Sequence, residues 1–135
     1  MNANKETATM ENMKVRLSIL WIFVMFNMVF ADIVGFMDPG ALEDIMTGNT
    51  GIEITQGLLL VFSILLEIPI AMIVLSRVLG YRINRWANMI AAVITILFVV
   101  GGGSTSLSYM FFAAVEVLCM LLIIWYAWTW PNPEA

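Results

Sequence analysis

The chain has 135 residues, of which 61% are apolar and 12% charged, with a mean hydropathy of +0.93. A soluble domain carries about 25% charged residues, so this balance excludes a disordered chain and an ordinary soluble globule. Ten acidic against six basic residues give a formal charge of −4, with no basic face for nucleic acid.

Residues 1–13 are polar and read as loosely ordered, and Lys14 and Arg16 lead into the first apolar run. That run extends from Leu17 to about Met37, longer than the roughly 7–15 apolar residues of a signal peptide, with no cleavage pattern after it. It reads as an uncleaved transmembrane helix whose polar members are Asn27 and Asp32. Asp38-Pro39-Gly40 then breaks it, and Asp38 as N-cap with Pro39 at the first helical position predicts a short helix over Ala41–Met46. Thr50-Gly51-Ile52-Glu53 has the form of a capping box, in which Glu53 reaches back to the start of the next helix.

The second membrane helix is predicted from about Gly51 to Leu79. Its segment Gln56–Arg77 is long enough to cross a hydrocarbon core of ~30 Å. Gln56, Ser63, Glu67 and Ala71 share one face of it, and Pro69 should bend it and free the Leu65 carbonyl. Gly80–Asn84 reads as a tight turn, and Arg85 opens a third helix that reaches about Val100. Asn84, Asn88, Ala91, Thr95, Val99 and Gly102 recur along it as a stripe of small and polar residues, which suits close approach of helices and predicts a homo-oligomer. After a Gly- and Ser-rich loop over residues 101–106, a fourth helix runs from about Leu107 to Trp130 and carries Glu116 and Cys119 one turn apart.

The expected fold is therefore all-α: an integral membrane bundle of four transmembrane helices, with a short extracellular or periplasmic helix between helices one and two. Residues 1–16 form a polar cytoplasmic segment, 17–130 the membrane domain and 131–135 a cytoplasmic tail. Orientation follows from the bases. Lys5, Lys14 and Arg16 precede helix one, and Arg77, Arg82 and Arg85 surround the second connection, so an even number of spans puts both clusters on one side. The positive-inside rule makes that side cytoplasmic, with both termini inside. The five tryptophans, Trp21, Trp86, Trp125, Trp128 and Trp130, fall toward that interface, where amphipathic rings anchor helices.

Several blocks also resemble a known family. Phe30-Ala31-Asp32-Ile33, Met37-Asp38-Pro39-Gly40, Glu67-Ile68-Pro69-Ile70-Ala71-Met72, Ser76-Arg77-Val78-Leu79 with Tyr81-Arg82, Asn84-Arg85-Trp86-Ala87-Asn88 and Trp125-Tyr126-Ala127-Trp128 are similar to a family of small prokaryotic four-helix membrane proteins catalogued as a domain of unknown function. The resemblance covers the chain from about Leu17 onward. It implies the four-helix architecture and a prokaryotic plasma membrane, and it carries over no catalytic residue.

Function has to come from polar groups at membrane depth. Asp32, Glu67 and Glu116 are carboxyls within apolar helices, and no Lys or Arg lies level with them. Each is therefore protonated, shares a proton, reaches water or binds a cation. Asp32 lies either inside the membrane or where helix one surfaces. Glu67 is either a working carboxyl beside a polar cavity or a neutral packing group. Glu116 either acts on a ligand or pairs with Asn27, Asn88 or Thr95. Asn88 and Thr95 read mainly as helix–helix hydrogen-bonding groups, and Cys119 as inert packing.

No enzyme is expected, because there is no histidine, no nucleophile beside a base, no phosphate loop and no zinc motif. No cofactor or metal site is expected either. Two classes stay open. One is a carrier or channel for protons, small cations or a small amphipathic solute, with Glu67, Glu116, Asp32, Asn27, Asn88 and Thr95 as candidate binding residues. The other is a non-catalytic membrane interaction protein whose carboxyls secure packing or a partner.

Overall fold

A computed structural model describes residues 2–102 and 106–132, with the side chains of Asn2 and Glu6 left aside. The described residues form five helices: α1 (Asn2–Phe36), α2 (Ala41–Thr47), α3 (Gln56–Val78), α4 (Tyr81–Gly101) and α5 (Leu107–Trp128). Four of them, α1, α3, α4 and α5, are long and apolar enough to cross a membrane. They close a ring in which α1 packs on α3 and α5, and α4 packs on the same two. Helices α1 and α4 therefore stand on a diagonal. Short links between successive helices give an up-down-up-down bundle.

The bundle is apolar outside as well as inside. Phe26, Leu60, Leu97, Phe111 and Leu118 are each about 60% exposed or more, which suits a lipid solvent and no aqueous one. The core is filled by Leu17, Trp21, Val24, Ala92, Met120 and Ile123, all fully buried.

Several boundaries differ from the sequence reading, each for a local reason. Residues 2–13 are helical rather than loosely ordered. They hold no Pro or Gly, their Ala, Lys, Met and Glu are good helix formers, and growth from an existing membrane helix needs no new nucleus. Glu11 and Lys14 add an i,i+3 pair at 3.8 Å. At about 1.5 Å per residue α1 is ~50 Å long, so part of it stands clear of the ~30 Å hydrocarbon core.

Asp38 does not cap α2. The Ala41 N–H donates to the Asp38 carbonyl at 3.1 Å, and Gly40 has φ +83° and ψ −8°. Proline at the second position and a left-handed glycine at the third make a type II turn, and α2 starts after it. The predicted capping box at Thr50 does not form either. Gly51 has φ +81°, where a first helical residue cannot be, and the Thr50 hydroxyl donates to the Ile52 carbonyl instead. The N-cap of α3 is Thr55, whose Oγ1 accepts from the Leu58 N–H at 3.1 Å. Glu53 is exposed outside the helix.

The α3–α4 link is shorter than expected, only Leu79 and Gly80, and Tyr81–Asn84 belongs to α4. Asn84 explains this. From the first turn of α4 its Nδ2 donates to the carbonyls of Ser76 at 2.8 Å and Leu79 at 3.2 Å, satisfying the last acceptors of α3. The Gly101–Ser106 loop falls partly outside the described residues, as does the end of the chain beyond Asn132. Ser106 caps α5 by accepting from the Tyr109 N–H at 3.3 Å.

Both ends of the bundle have a distinct chemistry. At one end, Arg85 donates to the carbonyls of Ala127 and Trp128 at 2.8 and 2.9 Å, and Tyr81 donates to that of Trp130 at 2.9 Å. Arg16 lies over Tyr126 and Arg85 over Trp128. Trp86, Trp125 and Trp128 are exposed, as interfacial anchors are, but Trp21 and Trp130 are buried and serve packing. The opposite end carries α2 and the carboxylates of Asp38, Glu43, Asp44 and Glu53, with no basic residue among them.

Candidate functional site

A cleft of about 270 Å³ opens between all four long helices in the half of the bundle toward α2. Met28, Ala31 and Asp32 come from α1, Phe62 and Leu66 from α3, Phe98 and Val99 from α4, and Tyr109 and Glu116 from α5. Gly102, just past α4, completes the wall. Glu116 is the tenth residue of α5, so the cleft reaches ~14 Å along that helix at about 1.5 Å per residue. The fully buried core residues Trp21, Val24 and Met120 are not among its lining.

Two of the predicted carboxyls meet here. Glu116 is only 3% exposed, and its Oε1 has no hydrogen-bond partner among the described residues. Buried polar atoms in folded proteins are nearly always partnered, so this oxygen is an exception among the described residues. Asp32, four residues from the end of α1, lines the same cleft and is exposed, at the mouth rather than the floor. Tyr109, which the sequence reading did not single out, lines the same cleft. Its hydroxyl donates to the Val99 carbonyl at 2.6 Å, tying α5 to the end of α4. Seven residues separate Tyr109 from Glu116, two helical turns, so their shared face was readable once the pair was considered. Phe62 and Phe98 pack edge to face at 6.1 Å between centroids and supply two more rings. The result is a mostly apolar cleft with two carboxyls and three aromatic rings.

The other four candidates lie elsewhere. Asn27 donates to the Phe23 carbonyl of its own helix at 2.8 Å, and Thr95 likewise to Ala91 at 2.8 Å. Neither reaches Glu116. Asn88 is fully buried in a network at the basic end: it accepts from Trp21 Nε1 at 2.7 Å and Ser76 Oγ at 3.2 Å, and donates to Asn84 Oδ1 and to the Asn84 carbonyl. These bonds use its amide fully, so Asn88 also is no partner for Glu116. Asn84, Asn88, Ala91, Thr95 and Val99 face the core, which corrects the expectation that this stripe of α4 supports association between copies. Cys119 is buried in packing, with Sγ 3.5 Å from the Leu20 carbonyl.

Glu67 contradicts its expected burial. It is exposed on the outward face of α3, away from the cleft, although its neighbour Leu66 lines it. The core-facing residues of α3 are Pro69, Met72 and Ser76, and helical periodicity turns position 67 away from them. Pro69 is held inside a continuous helix with its ring buried.

Among the described residues no three carboxyl, thiol or imidazole groups converge as a metal site would require. Asp32 and Glu116 are the two carboxyls that line the cleft. Neither the curated proteins nor the solved structures include a match to the chain. A family model does match residues 6–135, and by it the chain belongs to the family of unknown function DUF6326.

Proposed function

We propose that this protein binds a small cation in the α2-end cleft, either a proton or a compact amphipathic organic cation, and serves as its membrane carrier. The unpartnered Oε1 of buried Glu116 carries this reading. An acceptor left open in a low-dielectric wall favours a ligand that brings a proton or positive charge. The faces of Phe62, Phe98 and Tyr109 add attraction for an organic cation. Asp32 is the exposed one of the two carboxyls lining the cleft, and such a ligand meets it before Glu116. The volume lies just under the usual ~300–1,000 Å³ of small-molecule sites, which selects a small solute.

The charge distribution supports an orientation in which the basic end is cytoplasmic and the cleft opens outward, in a prokaryotic plasma membrane with both termini inside. The cleft stops at the packed core, so carriage across the bilayer requires the bundle to open at its basic end. The interaction-protein reading draws on a different group, the outward-facing Glu67.

Binding of phenyltrimethylammonium to the full chain in lipid nanodiscs, measured by calorimetry, tests the proposal. Saturable binding that weakens about tenfold or more in Glu116→Gln, roughly 1.4 kcal/mol, is the expected result. Pyranine-loaded proteoliposomes should in parallel show proton flux that Glu116→Gln abolishes. Neither binding nor flux in the wild type, or both unchanged in the variant, overturns the proposal.

A further inference from the structure

We infer that the outer face of α3 is a self-association surface, on which Glu67 of one copy meets Glu67 of a second copy of this chain. Glu67 is the twelfth of the 23 residues of α3, hence at mid-span, and it is exposed. It has no hydrogen-bonding or charged partner among the described residues. Arg77, the nearest base along the helix, is ten residues away, about 15 Å at 1.5 Å per residue. Lipid tails offer a carboxyl nothing at that depth, so an intramembrane carboxyl facing outward calls for a protein partner.

The surrounding sequence is built for a helix partner. Leu60, Ile64, Glu67, Ala71, Val74 and Val78 follow one another at alternating steps of four and three, a heptad seam along the outside of α3. Leu60, Ile64, Val74 and Val78 are 57–66% exposed. This helix is also the least covered of the four long ones: three of its 23 residues are buried, against seven of 21 in α4. A seam of that period packs knobs into holes against another helix, and one polar position within it fixes the register.

The second copy is the occupant that the chemistry favours. A protonated carboxyl has one donor and one acceptor, so two of them are complementary to each other without any further group. Two-fold symmetry brings a seam residue against its own copy when both chains insert the same way. This surface is separate from the cleft and stands whether or not the cleft binds a cation.

Cysteine cross-linking in liposomes tests it, in a Cys119→Ala background. Oxidation should yield disulfide-linked dimers for Leu60→Cys, Ile64→Cys, Val74→Cys and Val78→Cys, and not for Leu97→Cys or Leu118→Cys, which are as exposed on α4 and α5. Single-molecule photobleaching in dilute vesicles should show dimers for the wild type and for Glu67→Gln, whose amide is also self-complementary. Glu67→Leu should weaken association at least tenfold. A monomer at every lipid dilution, equal cross-linking on all three helices, or a Glu67→Leu dimer as tight as the wild type would overturn the inference.

Discussion

Trp21 donates its indole N–H to the side-chain oxygen of Asn88 over 2.7 Å, and this bond spans the diagonal of the bundle, from α1 to α4. Ser76 of α3 donates to the same oxygen, so three helices meet on one amide. Its other side is held by Asn84, which closes the α3–α4 link. The basic half of the molecule is thus locked by polar groups satisfied inside it, whereas the cleft half has a polar atom without a partner.

Removing the hub should cost more than removing one spoke. Asn88→Leu leaves the Trp21 N–H and the Ser76 hydroxyl without their acceptor and should destabilise the bundle by about 1–3 kcal/mol. Trp21→Phe keeps most of the ring volume and loses one interhelical bond, which should cost about 0.6–1.7 kcal/mol. Denaturant titration in mixed micelles would show the order, and equal stability of Asn88→Leu and wild type would rule the network out as a stabilising element.

Arg85 closes the end of α5 through two carbonyls at once. A lysine has the charge but not the planar fork, so Arg85→Lys should retain one bond at most and lose the stacking on Trp128. Hydrogen exchange at Trp128 and Thr129 should quicken in the variant while that in mid-α5 stays the same. Unchanged protection at those two amides would mean that the fork is not what holds the helix end.

Tyr109 separates ring from hydroxyl in the cleft. Tyr109→Phe keeps the π face and loses the bond to Val99, so phenyltrimethylammonium affinity should change little while α5 loosens at its start. Tyr109→Ala should weaken the same affinity about 2- to 30-fold, the range of a cation–π contact of roughly 0.5–2 kcal/mol. Equal affinities in all three proteins would place the cation away from this ring.

Orientation can be read by thiol labelling in the Cys119→Ala background. Met46→Cys, at a position 84% exposed on α2, should react with a membrane-impermeant maleimide on intact cells. Ile83→Cys, at a position 66% exposed in the first turn of α4, should react only after permeabilisation. The reverse pattern would invert the topology and the side to which the cleft opens.

The four spans, the short helix after helix one and the family resemblance were legible from hydropathy, turn residues and local blocks, because lipid imposes long apolar helices whatever their partners. Helix starts were less legible. Asp38 and Thr50 compete for the backbone with Gly40 and Gly51, whose left-handed conformations settle the matter against both caps. The sharing of one cleft by Asp32 and Glu116 was half legible, since the sequence marks both as costly but says nothing of which helices adjoin. Glu67 misled for the same reason: a carboxyl in an apolar helix shows that something polar must meet it, not whether that something lies in the same chain. The α4 stripe was equally mute about its direction, and the ring of helices turns it inward.

The acidic rim at the α2 end bears on how fast a ligand arrives rather than how tightly it stays. Asp38, Glu43, Asp44 and Glu53 stand at the end of the bundle where the cleft opens, with no base among them to cancel their field. Such a field gathers cations from solution and repels anions before any contact is made, raising encounter rates without adding a bond. Screening acts over about 8 Å at physiological salt. Uptake through this mouth should therefore slow as ionic strength rises, while the dwell time of a cation already against Glu116, sheltered by the bundle, stays nearly the same.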